Sequence, residues 1–461
     1  MERDNFFKNY IIFLIDIVTV AVVFALVIFI SNPPDEFIDR IINIRKIIYA
    51  PILTVVIVFI LLDMNKSAYK RYSEVIFNSM VASVLGFLSF YIFINIRNWH
   101  LVHIHISFFF ILMILTALIV VERLLLELII RRTLTVDSLM IVANESDAYK
   151  IAHNLLENKL TSIRVSSIFL VDDGIRGIEE AMLHCDKIVL GADIIQENRS
   201  DIINICQKIH KKVFVIPEIY DISIMRPRLT QIDDTPYLYL DNIGLSAVEQ
   251  DFKRLMDILI STLLIIILSP VMLICALMIK ITSRGPVFFL QDRVTINNKV
   301  FKIIKFRTMI DNAEKHTGAV LASSNDERVT KFGSLLRRSR LDEIPQLFNV
   351  IKGDMSLIGP RPERPVFVEQ FEKMIPLYNK RHSIKAGVTG LAQIMGKYST
   401  SAKDKLRYDL IYIRSYSVYM DIKILFLTLR TVILDLGSMK TDQKTGYANE
   451  LNNENIKIIK G

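Results

Sequence analysis

Four apolar runs open the chain, at residues 10–30, 47–62, 75–94 and 104–121. Each approaches the ~20 residues that cross a bilayer, the second being the shortest. The first is too long for a removable signal peptide and shows no small-residue cleavage site. Arg3, Lys8, Lys66, Lys70, Arg71, Arg123, Arg131 and Arg132 fall on one side of these runs; Arg40, Arg45, Lys46 and Arg97 fall on the other. The pattern predicts a four-helix transmembrane bundle over 1–130 with both ends in the cytoplasm.

From 131 to 246 the pattern changes to short apolar runs between amphipathic stretches. Residues 139–143, 167–171, 187–190 and 212–216 read as strands, and 149–156 and 200–210 as helices. That alternation predicts a Rossmann-like α/β domain with a parallel sheet. The first strand runs into Ala143-Asn144-Glu145-Ser146 rather than Gly-x-Gly-x-x-Gly, so a regulatory or structural role is expected here, not dinucleotide binding.

Residues 247–285 hold a further apolar run, interrupted by Ser269-Pro270. Proline removes a backbone donor and kinks a helix. Lys253 and Arg254 precede the run and Lys280 and Arg284 follow it, so both flanks carry inside-type charge. A re-entrant membrane helix that dips in and returns at the Ser-Pro break is expected; a kinked true span is the alternative.

The stretch 286–440 reads as a small, mostly helical domain with one hairpin. Asn297-Asn298 marks the turn between 291–294 and the strand 300–309, in which Lys305 and Arg307 alternate with apolar residues and share a face. A basic helix ending in Arg337 and Arg338 leads into Asp342-Glu343. A short helix follows, with Asp342 at the N-cap, Pro345 in the first turn, Leu347, Phe348 and Ile351 as its apolar face, and Gly353 as its stop. Two carboxylates close to several guanidinium groups suit phosphate oxygens and a divalent cation. Pro360-Arg361-Pro362 then presents one guanidinium between two rigid prolines. Residues 405–419 and 422–434 suit a helix lying in the membrane interface, and a polar, Asn-rich tail over 441–461 reads as disordered.

Charge sharpens this picture. From Asp251 onward there are 33 Lys+Arg against 20 Asp+Glu, a net of +13; before it the net is −5, within a total of +8. The basic half is the half that carries the carboxylate pair, which suits anionic headgroups and nucleotide diphosphates. Nucleic acid is not an expected partner, because no motif for it appears. Cys185, Cys206 and Cys275 lie far apart without ligand spacing and read as buried thiols.

Taken in order, Ser269-Pro270, Lys305-Phe306-Arg307-Thr308-Met309, Leu341-Asp342-Glu343, Pro360-Arg361-Pro362 and Gly387-Val388-Thr389-Gly390-Leu391-Ala392-Gln393 resemble the core of the bacterial sugar transferases. These are the monotopic phosphoglycosyltransferases, which move a sugar-1-phosphate from a UDP-sugar to a polyprenyl phosphate. The resemblance covers about 252–428. It implies that Asp342 takes the sugar phosphate covalently as UMP departs, and that polyprenyl phosphate then attacks that intermediate. It further implies that Asp342 and Glu343 hold Mg²⁺, that Lys305, Arg307, Arg337 and Arg338 contact phosphate, and that Pro360, Arg361 and Pro362 lie near the uridine. Ser269 and Pro270 are structural in that scheme. The implied setting is the bacterial inner membrane, with membrane lipid as a partner, the catalytic domain on the cytoplasmic face, and exopolysaccharide or surface-glycan assembly as the pathway; a homodimer is left open.

Several positions depart from the family pattern. Arg340 replaces a small residue, Thr295 a glycine, Ala386 a proline, Thr308 a serine, and Tyr416-Ser417 stands for Trp-Ser. Two rivals remain at this level. A membrane-anchored nucleotide-sugar dehydratase or epimerase would need a Tyr-x-x-x-Lys, and Tyr419…Lys423 has that spacing far from the sheet domain. The other rival is a non-catalytic polysaccharide-assembly protein.

Overall fold

A computed structural model describes residues 52–62, 72–96, 116–126, 137–157, 163–310 except 173, 226 and 241, 328–396, 400–435 and 456–460, with scattered positions at 14–22 and at 113, 128 and 129. The chain divides into two compact units, one of Met1–Ile216 with Thr445–Gly461 and one of Pro217–Lys444. The first and fourth N-terminal apolar runs lie largely outside the described residues, as do positions 441–455 of the tail. Within the second and third runs, Ile52–Leu61 and Glu74–Ser89 are apolar helices shorter than a span; the latter lies within helix α1, Tyr72–Ile96.

In the first unit, β1 (Asp137–Ala143), α2 (Glu145–Glu157), β2 (Ile163–Leu170), α3 (Ile178–Leu183), β3 (Lys187–Leu190), α4 (Gln196–Lys208) and β4 (Lys212–Val215) alternate as the pattern predicts. All sheet pairs are parallel. Alternating long apolar side chains fill two layers, with Met140, Val142 and Phe169 on one face of the sheet and Leu139, Ile141 and Ile168 on the other. A fifth strand comes from an unexpected place. Lys457–Lys460, in the segment expected to be disordered, pairs with β2, giving the order C-terminal strand–β2–β1–β3–β4. Ile459 of this strand and Ile456 just before it pack on opposite faces of the sheet. The Asn-rich composition before it hid a four-residue strand.

Two close contacts lie at the carboxyl ends of β1 and β3, where such sheets bind ligands. The Asp172 carboxylate accepts from the Glu145 N–H (2.9 Å) at the start of α2, the place a pyrophosphate would take. A Cβ on Gly191 would come within 2.6 Å of the Ala143 Cβ.

The second unit begins with α5 (Ile219–Ser223) and the hairpin β5 (Arg228–Ile232) and β6 (Thr235–Tyr239), a segment that the sequence reading grouped with the sheet domain. Helix α6, Ala247–Thr282, starts at a capping box in which the Ser246 hydroxyl accepts from the Glu249 N–H and the Glu249 carboxylate accepts from the Ser246 N–H. It is long and apolar enough to cross a membrane. The expected break at Ser269-Pro270 is not seen, since the helix is continuous through Pro270. The physical reason is local. Pro270 cannot donate to the Ile266 carbonyl, and the Ser269 hydroxyl donates to that oxygen instead (2.8 Å).

Both halves of α6 are tied to the rest of the unit. In the first half, Arg254 donates to the carbonyls of Val350 and Ile351 (2.6 and 2.7 Å), and Asp257 accepts from the Leu357 N–H (2.9 Å) and the Ser356 hydroxyl (3.1 Å). In the second half, Met272, Cys275 and Ile279 pack with Phe306 and Leu336.

Strands β7 (Phe288–Val294) and β8 (Val300–Phe306) pair antiparallel. Their connection runs through Asn297 and Asn298, both at left-handed φ (55° and 58°), a conformation asparagine tolerates. Next come α7 (Lys331–Arg338), α8 (Gln346–Lys352), β9 (Ser356–Ile358), α9 (Pro365–Met374), β10 (Gly387–Thr389), α10 (Leu391–Met395), α11 (Ala402–Arg414) and α12 (Val418–Asp435). Leu347, Val350, Leu357, Leu406, Leu410, Ile413 and Ile424 belong to their shared core.

Two expectations change here. In α8, Leu347 and Val350 are buried while Phe348 and Ile351 are exposed. The inward face is set by the buried Asn349, which accepts from the Ile304 N–H (2.9 Å) and donates to the Lys302 carbonyl (2.8 Å). Helix α11 is not an interfacial helix over its length either, because Leu406, Arg407, Asp409, Leu410, Tyr412 and Ile413 are buried. All three cysteines are buried and free.

Candidate active site

Leu341, Asp342 and Glu343 form a single 3-10 turn between α7 and α8. The chain enters it through Arg340 at φ 54°, a left-handed backbone that disfavours a large side chain and where the family pattern has a small residue. The Glu343 and Ile344 N–H groups are taken by the carbonyls of Arg340 and Leu341. The chain is therefore already turning when it reaches α8, whose N-cap is Pro345; the N-cap role expected of Asp342 is not met.

The two carboxylates differ sharply. Glu343 Oε1 receives Lys305 Nζ at 2.9 Å and an Arg361 guanidinium nitrogen at 3.1 Å. Burial alone would raise the Glu343 pKa, but Arg361 and Lys305 hold it well below the usual carboxylate range. Asp342, partly buried, has no hydrogen bond or ion pair among the described residues. Burial and the neighbouring Glu343 charge push its pKa up to about 6, against the pull of Lys305, Arg337 and Arg361. One carboxylate is thus fixed and charged, and the other is unengaged.

Helix α7 carries the next cation. Its N-cap Thr330 accepts from the Gly333 N–H (2.9 Å), and Gly333 lies so close to the Thr308 carbonyl that a Cβ would come within 2.0 Å of it. That contact brings Arg337 Nε to the Thr308 hydroxyl at 2.8 Å. Lys305 and Arg307, expected on one face, serve different places. Lys305 reaches Glu343, whereas Arg307, just beyond β8, donates to the backbone carbonyl and hydroxyl of Ser283 (3.0 and 2.6 Å). Arg307 Nε and one terminal nitrogen are buried without a hydrogen-bond partner among the described residues. Arg338 is exposed and pairs with neither carboxylate among the described residues.

Pro360 and Pro362 are buried on either side of the exposed Arg361. The glycine-punctuated turn after them packs backbone against backbone. Gly359 N–H donates to the Thr389 carbonyl and Gly387 N–H to the Pro360 carbonyl (both 2.9 Å), and a Cβ on Gly387 or Gly390 would meet Gly359 atoms at 2.1 Å. Sequence reasoning missed Arg293 and Arg381, each of which donates to this loop's backbone. The available signal was Asp409, a carboxylate set among Leu406, Leu410, Tyr412 and Ile413, since buried charges come paired.

The donor set can accommodate Mg²⁺, which is held by one or two carboxylates together with substrate phosphates. Asp342 is unengaged, and both cations on Glu343 contact Oε1, leaving Oε2. No group of three or more His, Cys, Asp or Glu capable of holding a metal occurs among the described residues.

A helix long and apolar enough to cross a membrane thus belongs to the same unit as a carboxylate pair whose Glu343 carries two cations. The pattern of the bacterial sugar transferases matches residues 248–435. The chain is 38% identical over 197 residues to the uncharacterized sugar transferase EpsL of Bacillus subtilis (strain 168), covering 93% of that protein and 42% of this one. This chain belongs to the bacterial sugar transferase family.

Longer relatives match over the same region. A UDP-N-acetylgalactosamine-undecaprenyl-phosphate N-acetylgalactosaminephosphotransferase of Aeromonas hydrophila is 42% identical over 236 residues, 50% of this chain and 55% of that one. A UDP-glucose:undecaprenyl-phosphate glucose-1-phosphate transferase of Escherichia coli (strain K12) is 42% identical over 221 residues, 47% of each. The match spans about half the length of these longer relatives.

Proposed function

We propose that this protein transfers a sugar-1-phosphate from a UDP-sugar to undecaprenyl or another polyprenyl phosphate and releases UMP. The observation that carries the reading is the contrast within one turn: Glu343 is locked by Lys305 and Arg361, and Asp342 beside it is unengaged. A free carboxylate in a cationic surround is suited to attack a phosphorus. An Asp342 oxygen bonds to the phosphorus nearer the sugar, the bridging P–O bond breaks, and UMP leaves with the electron pair. A polyprenyl phosphate oxygen then attacks the same phosphorus, and the Asp342 carboxylate leaves.

In this reading Arg337 and Arg361 would neutralise the diphosphate. Mg²⁺, held by Asp342 and Glu343, would supply charge neutralisation on the departing UMP. The names of the two longer relatives support both substrate classes. Contacts from both halves of α6 to one small unit support a helix that does not carry this unit across the bilayer, which would keep it at the cytoplasmic face of the inner membrane, where UDP-sugars are found. The N-terminal runs would make the protein multi-pass, and its product would start an exopolysaccharide or surface glycan.

The test is UMP release from a UDP-sugar, polyprenyl phosphate and Mg²⁺ by protein in detergent or nanodiscs. Asp342→Asn is expected to lower it by at least about 10³-fold, since the nucleophile is gone. In the wild type, kcat/KM should fall at acid pH as Asp342 gains a proton and stops attacking, with the fall moving to lower pH as Mg²⁺ is raised because a bound cation favours the charged carboxylate. Undiminished release by Asp342→Asn would remove Asp342 from the role.

A further inference from the structure

The Pro360-Arg361-Pro362 loop has a holding problem. Its prolines have no N–H, so it must be fixed chiefly through its carbonyls. Each of the three is taken by a donor from a different place. Gly387 N–H donates to the Pro360 carbonyl (2.9 Å), Arg381 to the Arg361 carbonyl (3.0 Å), and Arg293 to the Pro362 carbonyl (2.9 Å).

Arg381 is 4% exposed, in the 3-10 turn Tyr378–Ser383. Its Nε and one terminal nitrogen lie 3.0 and 2.8 Å from Asp409 Oδ2 on α11. Its other terminal nitrogen donates to the Tyr378 hydroxyl, and the guanidinium lies 5.1 Å from that ring's centroid. Asp409 is 2% exposed.

A buried Arg–Asp pair is a poor device for stability alone. Desolvating both charges costs what their attraction returns, and an apolar pair of similar volume often holds two elements as well. What an apolar pair would lack is the N–H that reaches the Arg361 carbonyl. Arg361 in turn places its guanidinium 3.1 Å from Glu343.

We infer that Arg381, anchored by Asp409, is a positioning residue that sets Arg361 against the carboxylate pair and the substrate diphosphate. This rests on the transferase reading above. Arg381 touches no reacting atom; it acts through Arg361.

The test is a double-mutant cycle in the full-length protein, read as kcat/KM for UMP release and, independently of turnover, as the Kd for UDP. Arg381→Lys keeps the charge but cannot reach Asp409, Tyr378 and the Arg361 carbonyl together. It is expected to lower kcat/KM by about 10- to 100-fold, the cost of a small misplacement near the reacting centre, with a thermal midpoint close to wild type. In an Arg361→Ala background, which keeps the carbonyl and removes the guanidinium, the same change should cost less than about 3-fold. Asp409→Asn gives the same comparison should Arg381→Lys not fold.

Equal losses in both backgrounds, or no loss in either, overturn the proposal. Failure of both variants to fold assigns the pair to stability and overturns it as well. A wild type that releases no UMP sinks the transferase reading instead, while the UDP cycle still reports on Arg381.

Discussion

Thr295 and Ala386 are two departures from the family pattern, and they touch. The Thr295 hydroxyl accepts from the Ala386 N–H (3.1 Å) and donates to the Asp354 carbonyl (2.9 Å), with Thr295 and Ala386 both buried. Proline at 386 would bring no N–H, and glycine at 295 no hydroxyl. The donor gained by one change is therefore met by the acceptor gained by the other. Thr295→Gly should strand a buried N–H and a buried carbonyl, costing about 1–3 kcal/mol. With Ala386→Pro already present, the N–H part of that cost vanishes, so the second loss should be smaller. Thermal midpoints of the two single variants and the double variant check this, and strict additivity would show that the contact carries no coupling.

At the scale of elements, the legible parts were those with a clear period or strong turn chemistry. The strand–helix alternation of 137–216, the Asn297-Asn298 turn and the Gly353 stop were read correctly from local pattern, because each follows from backbone sterics or binary burial. The Asp342 N-cap was misread because the turn before α8 satisfies its own N–H groups. The inward face of α8 was misread because it is fixed by Asn349, a polar residue that period counting ignores. Of the cations grouped with the carboxylate pair, Lys305 and Arg361 reach Glu343 while Arg307 goes to Ser283 and Arg337 to Thr308, a division that sequence spacing does not carry.

The Ser269-Pro270 step was legible as an irregularity and misread as a break. If the Ser269 hydroxyl replaces the donor that Pro270 lacks, Ser269→Ala leaves the Ile266 carbonyl unpaired in an apolar setting, at a cost of about 1–3 kcal/mol or more in lipid. Adding Pro270→Ala restores the backbone donor and should recover the thermal midpoint in nanodiscs. A neutral Ser269→Ala would remove the hydroxyl from this role.

For the whole molecule, the last residues matter more than their composition suggests. The chain leaves the sheet unit after Ile216, builds the unit that holds the carboxylates, and contributes one more strand to the sheet at its end. Without Lys457–Lys460, β2 becomes an edge strand with unpaired backbone groups, and Ile456 and Ile459 vacate the two faces they cover. At ~1.5–3 kcal/mol for each fully buried aliphatic side chain, and less for these partly buried ones, removal of residues 456–461 should cost the sheet unit about 2–4 kcal/mol. That is a large fraction of the stability of a domain this size. Limited proteolysis should then cut within 137–216 sooner than in the intact protein. UMP release should stay within about two-fold, because no residue proposed for the chemistry lies in that unit. Unchanged protease resistance would mean that the strand is an ornament on a sheet complete without it. A large loss of UMP release alongside faster cleavage would mean that the two units do not act independently, and that the sheet holds the catalytic unit in its working state.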